Sequence, residues 1–392
     1  MSLQRVAFQP LHTFTRATDE AFWNRVVDAF GNVSYELQTA PAGTAVQNAY
    51  DPSTGEPLGL QIFEQRANLL RYSEQFDNVS WANFSVGVGV QPVVTANAGI
   101  APSGEMTADR VDFDCGDSSS IANRSLLSQP ITTVTGTTYS AFIYVKAFAS
   151  GDIGKTIAIR PENIGLTQAI VTLSDAWQKI QFTGTATGTA INYVIECRGT
   201  LTGQTASVLL WGAQIEAGSF PTPYIKTEAD TATRNASVAV INDIDESEWW
   251  NPNEGTFVVE WVQNSESGRV FSIQSSVTKR IGIMPSNTFV SAIWFNDGSP
   301  NYANSGVTAA SIVGQKTKAA LSFATGKIAI SVNGQTTAST VTANPTPPFV
   351  DTLSIGSHAP AIAGNYINGH VFKIIYIPTA VSDAKLQELS AL

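Results

Sequence analysis

Cysteine is nearly missing from this chain: Cys115 and Cys197 are the two among 392 residues. Far apart and without CxxC spacing, they provide neither a disulfide framework nor a structural zinc site, and leave room for one bridge. Histidine is as scarce, with His12, His358 and His370. No GxSxG elbow or HExxH pair accompanies them, so no nucleophile–base or metalloprotease constellation is legible. Charge is thin as well, at 14% of residues against a usual quarter or so. The balance of 22 basic to 32 acidic residues leaves a formal charge of -10. Such a surface repels phosphate backbones and anionic lipids, so neither nucleic-acid binding nor membrane insertion has an electrostatic footprint. No run reaches the roughly 18 apolar residues of a membrane helix, and the opening MSLQRVAFQP lacks the apolar core of a signal peptide. The expectation is a soluble chain that does not use the general secretory route.

What is abundant is Thr, Ser, Asn and Gly, with a hydrophobic fraction of 43% and a mean hydropathy of +0.02. Hydroxyl-rich compositions of this kind suit β-sheet proteins that work outside cells. The periodicity is two. In YSAFIYVKAF, Tyr139, Ala141, Ile143, Val145 and Ala147 share one face while Phe142, Tyr144, Lys146 and Phe148 share the other. Similar runs recur at 156–160, 168–174, 177–183, 191–197 and 207–216, then at 256–262, 269–273, 288–295, 327–332 and 370–377. Gly, Asn, Asp and Pro clusters separate them, as turns require. Short strands at this spacing predict an all-β protein of two antiparallel sandwiches in tandem.

Two segments follow a helical period. Over 18–30, Phe22, Trp23, Val26, Val27 and Phe30 form a stripe, with Thr18 placed to cap and Gly31 to stop. From Ser382, the spacing of Leu386, Leu389 and Leu392 predicts a terminal helix. Composition divides the chain at a Pro- and Gly-punctuated stretch, Tyr50 to Leu60, and at the polar run Lys226 to Ser237. The resulting units are 1–67, 68–236 and 237–392. Their acidic excesses are 7 minus 4, 14 minus 10 and 11 minus 8, so the charge belongs to ordinary solvated surfaces.

Several phrases resemble a known family. Tyr50 to Leu60 (YDPSTGEPLGL), Glu64 to Leu70 (EQRANLL) and Tyr72 to Trp81 (YSEQFDNVSW) are similar to a pattern in tailed-phage virion proteins, where it leads into a carbohydrate-binding-like jelly roll. Trp211 to Thr227 (WGAQIEAGSFPTPYIKT) resembles that module's closing phrase, followed by a TRxA step at Thr233 to Ala236. FTRAT, Phe14 to Thr18, looks like a second copy of the step, and the resemblance implies extended chain after it rather than a helix. From Gly255 onward, GTFVVEWV, ISVNGQ, LSIGS and the closing NGHVFKIIYIPTAVSDAKLQEL resemble a concanavalin A-like sandwich of the laminin-G or pentraxin type. The resemblance implies an N-terminal virion-attachment segment (1–67), a carbohydrate-binding-module-like jelly roll (68–236) and a laminin-G-like sandwich (237–392).

Candidate site residues follow from chemistry. Sugar recognition needs an aromatic face for the ring and amide, hydroxyl or carboxylate groups for its hydroxyls. Trp294 lies off the Phe289, Ile293, Phe295 face and runs into a loop rich in donors and acceptors, with Asn296, Asp297, Asn301 and Tyr302. Tyr144, beside Phe142 and Lys146, is a comparable candidate, though its face could also pack against a neighbouring chain. Trp81, Trp177 and Trp211 sit in the family phrases and read as core. Asp112, Asp114 and Asp117 offer oxygen ligands for Ca²⁺ without the glycine and terminal glutamate of an EF-hand loop; an ordinary acidic loop is the alternative. Otherwise no cofactor is expected. The acidic run NDIDESEWW, with Asp243, Asp245, Glu246 and Glu248, lacks the single-strand alternation of a glycosidase pair and reads as a solvated linker. His370 reads as a structural imidazole.

The resemblance implies a non-enzymatic fibre or spike on the phage particle, made in the host cytoplasm. It would be anchored to other virion proteins by its N-terminal segment, be homotrimeric, and adhere to host-surface polysaccharide. Competing expectations are a purely architectural decoration, collar or head-fibre protein, and a polysaccharide depolymerase.

Overall fold

A strand that alternates apolar and polar residues must bury one face, and two such sheets satisfy each other by stacking. In the computed structural model this happens twice. The structure describes residues 57–162, 169–341, 346–357 and 365–392, together with the strand backbones 14–15, 20–27, 33–40 and 49–50. His12, His358 and most of the expected attachment segment lie outside the described residues.

The first sandwich stacks two five-stranded sheets. One runs in the order Ala169–Thr172, Thr156–Glu162, Ala190–Arg198, Arg124–Thr132, Ala82–Val86. The other runs Gln178–Thr185, Thr138–Ala147, Thr205–Ala217, Ala108–Asp114, Val90–Gly99. Neighbouring strands are antiparallel. Between the sheets lie Phe76, Trp81, Leu127, Ile143, Ile159, Tyr193 and Ile195, with both free cysteines.

The second sandwich stacks two seven-stranded sheets. One contains Val238–Ile241, Thr352–Ile355, Phe271–Ser276, Lys279–Pro285, Val290–Asn296 and Asn301–Asn304, with Phe14–Thr15 at its edge. The other is centred on Gly255–Gln263, flanked by Thr317–Ala324 and Gly369–Ile377. Strand Pro57–Ile62 adds beyond 369–377, with Ile62 opposite Gly369 and buried in this core. The end of the 1–67 unit is thus part of the last sandwich's sheet. A two-stranded ribbon, Arg66–Asn68 with Ala232–Arg234, connects the two bodies. Arg234 is buried there and donates to Glu64 O at 2.7 Å, so the polar run 226–237 is built into the fold.

The terminal helix forms over Asp383–Ser390, with Ser382 accepting from the Lys385 amide and Leu386 buried against Val258, Ala320 and Ala329. The helix expected over 18–30 does not form. Glu20–Val27 is a strand paired antiparallel with Val33–Ala40, Val27 opposite Val33. Phe22, Trp23, Val26 and Val27 are β-branched or aromatic, types that favour a pleated strand; Gly31, expected to stop the helix, lies outside the described residues. In the NDIDESEWW run Asp243, Asp245, Glu246 and Glu248 are solvated as expected, but the apolar residues between and after them tie the run to the second core. Ile244 is fully buried, and Trp250 stacks between Phe323 (5.8 Å) and Tyr376 (5.2 Å), closing one end of the second core.

Candidate functional site

Trp294 is 0% exposed and packs in the second core, which removes it as a sugar platform. The strand alternates as the sequence indicates, but the inward face is Val290, Ala292 and Trp294. Ile293 points outward and is also fully buried. With Ile293 and Trp294 both buried, period two cannot tell which side is core. Tyr302 is 39% exposed on the opposite side of the sheet from Trp294, so the expected cluster is not assembled. Asn296 donates to Thr346 O (3.0 Å), and Asn301 is half-buried opposite Trp294. Asp297, in left-handed backbone at φ 46°, accepts from Thr278 Oγ1 (2.9 Å) and pairs with Lys279 (3.2 Å).

The three aspartates expected to offer calcium ligands are used separately. Asp112 pairs with Arg110 at 2.9 Å, Asp114 accepts from the Gly116 amide, and Asp117 accepts from Ser119 and Asn123. Among the described residues no group of three His, Cys, Asp or Glu is placed to hold a metal. His370 stacks edge-on to Phe63 at 5.7 Å, and burial lowers it to about 4, consistent with a neutral structural imidazole.

Tyr144 is also excluded, and the reason locates the open surface. Along 205–217, Val208 and Leu210 enter the first core while Leu209 and Trp211 face outward. Gly212, at φ 65°, forms a bulge that resets the alternation, so Ala213 and Ile215 return to the core. Gln214 and Glu216 therefore join Trp211 on the outer face. There Gln214 accepts from the Ile225 amide (2.7 Å) and Glu216 from the Thr222 amide (2.5 Å) and hydroxyl (2.8 Å). These bonds draw segment 218–227 across the sheet. Tyr224 lands on Trp211 (4.7 Å) and near Phe142 (6.4 Å), leaving Tyr144 4% exposed. Trp177 and Trp211 are tied to the 100–107 loop by their indole nitrogens. The closing phrase Trp211 to Thr227 is thus the covering of this sheet.

Among the described residues no strap like 218–227 crosses the opposite sheet of the same sandwich, although Ala158, Val194, Leu126, Ser128 and Glu196 on its outer side are themselves buried. Its outward residues fall in rows set by the register. Phe84, Leu126, Glu196 and Ala158 form one row, and Ala82, Ser128, Val194 and Arg160 the next. Asn192 and Glu162 follow in a third. A cavity of about 410 Å³ opens over these rows. Leu126 and Val194 floor it, Phe84 is 51% exposed on one wall, and Arg124, Ser128, Glu162 and Asn192 supply polar groups.

Electrostatics organise the polar half. Glu196 is fully buried, accepting from Arg124 Nε (2.6 Å) and Arg160 Nε (2.8 Å), with Arg198 at 3.6 Å. Glu162 accepts from Arg160 (2.6 Å) and Arg124 (3.2 Å). Three guanidiniums against two carboxylates leave this patch at +1 on a chain of -10. Burial works to raise Glu162, but the charges of Arg160 and Arg124 and the Asn192 amide outweigh it, and the carboxyl is held below its ordinary value. These ion pairs fix the side chains in place, so the patch presents preset donors and acceptors. None of these polar residues stood out in the sequence, because their pairings join strands 36 and 72 residues apart.

No family model matches the chain, and no curated protein matches it. Solved structures do. The carbohydrate-binding module CBM40 of the Ruminococcus gnavus IT-sialidase, bound to α2,3-sialyllactose, is 14% identical over 36% of this chain and 84% of that one, with a TM-score of 0.31. Domains LG4-5 of the mouse laminin α1 chain are 12% identical over 69% and 89%, with a TM-score of 0.29. The CBM22-1–CBM22-2 tandem of Paenibacillus barcinonensis Xyn10C is 13% identical over 82% and 99%, with a TM-score of 0.28.

Proposed function

We propose that this chain is a glycan-binding protein that adheres through the cavity on the outer side of its first sandwich and performs no covalent chemistry. The observation that carries the reading is the 410 Å³ cavity, with an exposed Phe84 ring beside a fixed array of amide, hydroxyl, guanidinium and carboxylate groups. A pyranose presents apolar C–H patches and directed hydroxyls, and this wall-and-array arrangement addresses both. The ring stacks on Phe84 over Leu126, while hydroxyls meet Ser128, Asn192, Glu162 and Arg124. Cleavage would need one carboxyl kept protonated as general acid. Glu162 is held low and both oxygens of Glu196 accept from guanidiniums, which favours binding over hydrolysis.

The biological setting we propose is the surface of a tailed-phage particle, as a fibre or spike adhering to host polysaccharide. Its support is the wording of residues 50–81 and 211–236. The N-terminal segment would join other virion proteins. Three copies per fibre would turn single sites of about millimolar affinity into attachment about a hundredfold or more tighter. A second, architectural reading draws on Val86, Val88, Val90 and Val93, each 44–60% exposed on two edge strands of the first sandwich and the turn that joins them, which suit contact with another protein.

A panel of host-surface glycans incubated with the full chain, read for binding and for release of shorter oligosaccharides, tests these readings together. Saturable binding without release, weakened tenfold or more by Phe84→Ala, is expected. Release of oligosaccharides would establish a depolymerase, and no binding to any glycan would leave the architectural role.

A further inference from the structure

The outer face of the second sandwich carries two arginines in an unusual setting. Ile281 and Ile283 enter the core, so Arg280, Gly282 and Met284 face outward. On the neighbouring strands Ile293, Phe295 and Tyr302 share that side, with Ile293 standing between Gly282 and Tyr302. At the start of strand 271–276, the Val270 amide bonds Ile283 O (3.0 Å) while Phe271 also pairs with Ile283. Two residues thus oppose one, both buried in the core. The bulge leaves Arg269 outward, beside Met284.

Arg269 is 9% exposed. Its Nη1 donates to the carbonyl of the preceding Gly268 (3.1 Å), and its Nε has no hydrogen-bond partner among the described residues. A guanidinium buried to this degree normally faces a carboxylate. Here burial, then the like charge of Arg280, lowers Arg269 to about 10, with Tyr302 acting in the opposite sense; no described carboxylate contributes. Both arginines stay charged at neutral pH. Arg280 lies over the Phe295 ring at 5.2 Å, and Tyr302 stands 39% exposed beside them.

We propose that Arg269, Arg280 and Tyr302 form a site for an oxyanion carried on a sugar ring, either the carboxylate of an acidic sugar or a sulfate ester. The anion would supply the counter-charge that no described residue gives Arg269, and Tyr302 would take the ring. A net charge of -10 opposes extended polyanions, while a single anionic group beside an aromatic surface remains compatible with it. The site lies on the other sandwich from the Phe84 cavity and does not rest on that reading.

The test is titration of the full chain with D-glucuronate and with glucose 6-sulfate, using glucose and inorganic sulfate as controls. Saturable binding of either acidic sugar is expected, at least tenfold tighter than glucose, and the tighter of the two identifies the anion. Arg280→Gln and Tyr302→Ala should each weaken it tenfold or more. Because Arg269→Gln could unfold the sheet, the partly exposed Arg280 and Tyr302 carry the test. Failure of both sugars to saturate, indifference to both variants, or inorganic sulfate binding as tightly as the sugars would overturn the proposal.

Discussion

Thr222 donates both its amide and its hydroxyl to the Glu216 carboxylate, which is fully buried six residues earlier in the chain. This pair closes the strap that covers Tyr144 and Trp211. Burial raises the Glu216 pKa, an effect that Thr222 partly offsets. Glu216→Ala leaves three buried donors without this acceptor, the Thr222 amide and hydroxyl and the Gln214 amide, at a cost of about 3 kcal/mol or more. Urea denaturation should register that loss, and Trp211 and Tyr144 should become accessible to a fluorescence quencher. Unchanged stability and quenching would show that the strap is held elsewhere.

Trp294→Ala should cost about 3–5 kcal/mol, the range for emptying a core aromatic site. Glycan binding at the Phe84 face should be untouched, because that face belongs to the other sandwich. A variant with unaltered melting temperature would contradict the buried position of the indole.

The acid side of the stability curve should carry His370. Its folded pKa, lowered by burial to about 4 from 6.5, means that the unfolded chain takes up a proton first as pH falls. The stabilising contribution is whole above about 6.5 and is lost progressively down to about 4. His370→Phe should flatten that part of the stability–pH curve. A His370 ring resonance titrating near 6.5 in NMR would refute the assignment.

Truncation should discriminate between residues 56 and 67. Removing 1–56 retains strand 57–62, whereas removing 1–67 strips Ile62 from the second core and uncovers the edge of strand 369–377. The shorter chain should be several kcal/mol less stable and more prone to aggregate. Equal melting curves for the two would show that the strand is dispensable.

Much of the architecture was legible in the chain. Period-two alternation, turn clusters and the Ser382 cap specify strands, hairpins and the terminal helix by local rules, and the Tyr139 to Ala147 face is core as read. Helical spacing at 18–30 misled because a stripe of aromatic and β-branched residues fits either period when the segment is short. The site was much less legible. Alternation marks two faces on a strand without saying which is wet, and at Trp294 and Ile293 both are dry.

What the sequence by itself determined was therefore the fold class and the rhythm of its elements, because these depend on neighbours a few residues apart. Tertiary structure alone decided which surfaces remain open. Segment 218–227 covers Tyr144 from beyond its own strand, while Arg124 and Arg160 converge on Glu196 from two other strands. Exposure and charge pairing are set by contacts between distant segments, and only folding brings those segments together.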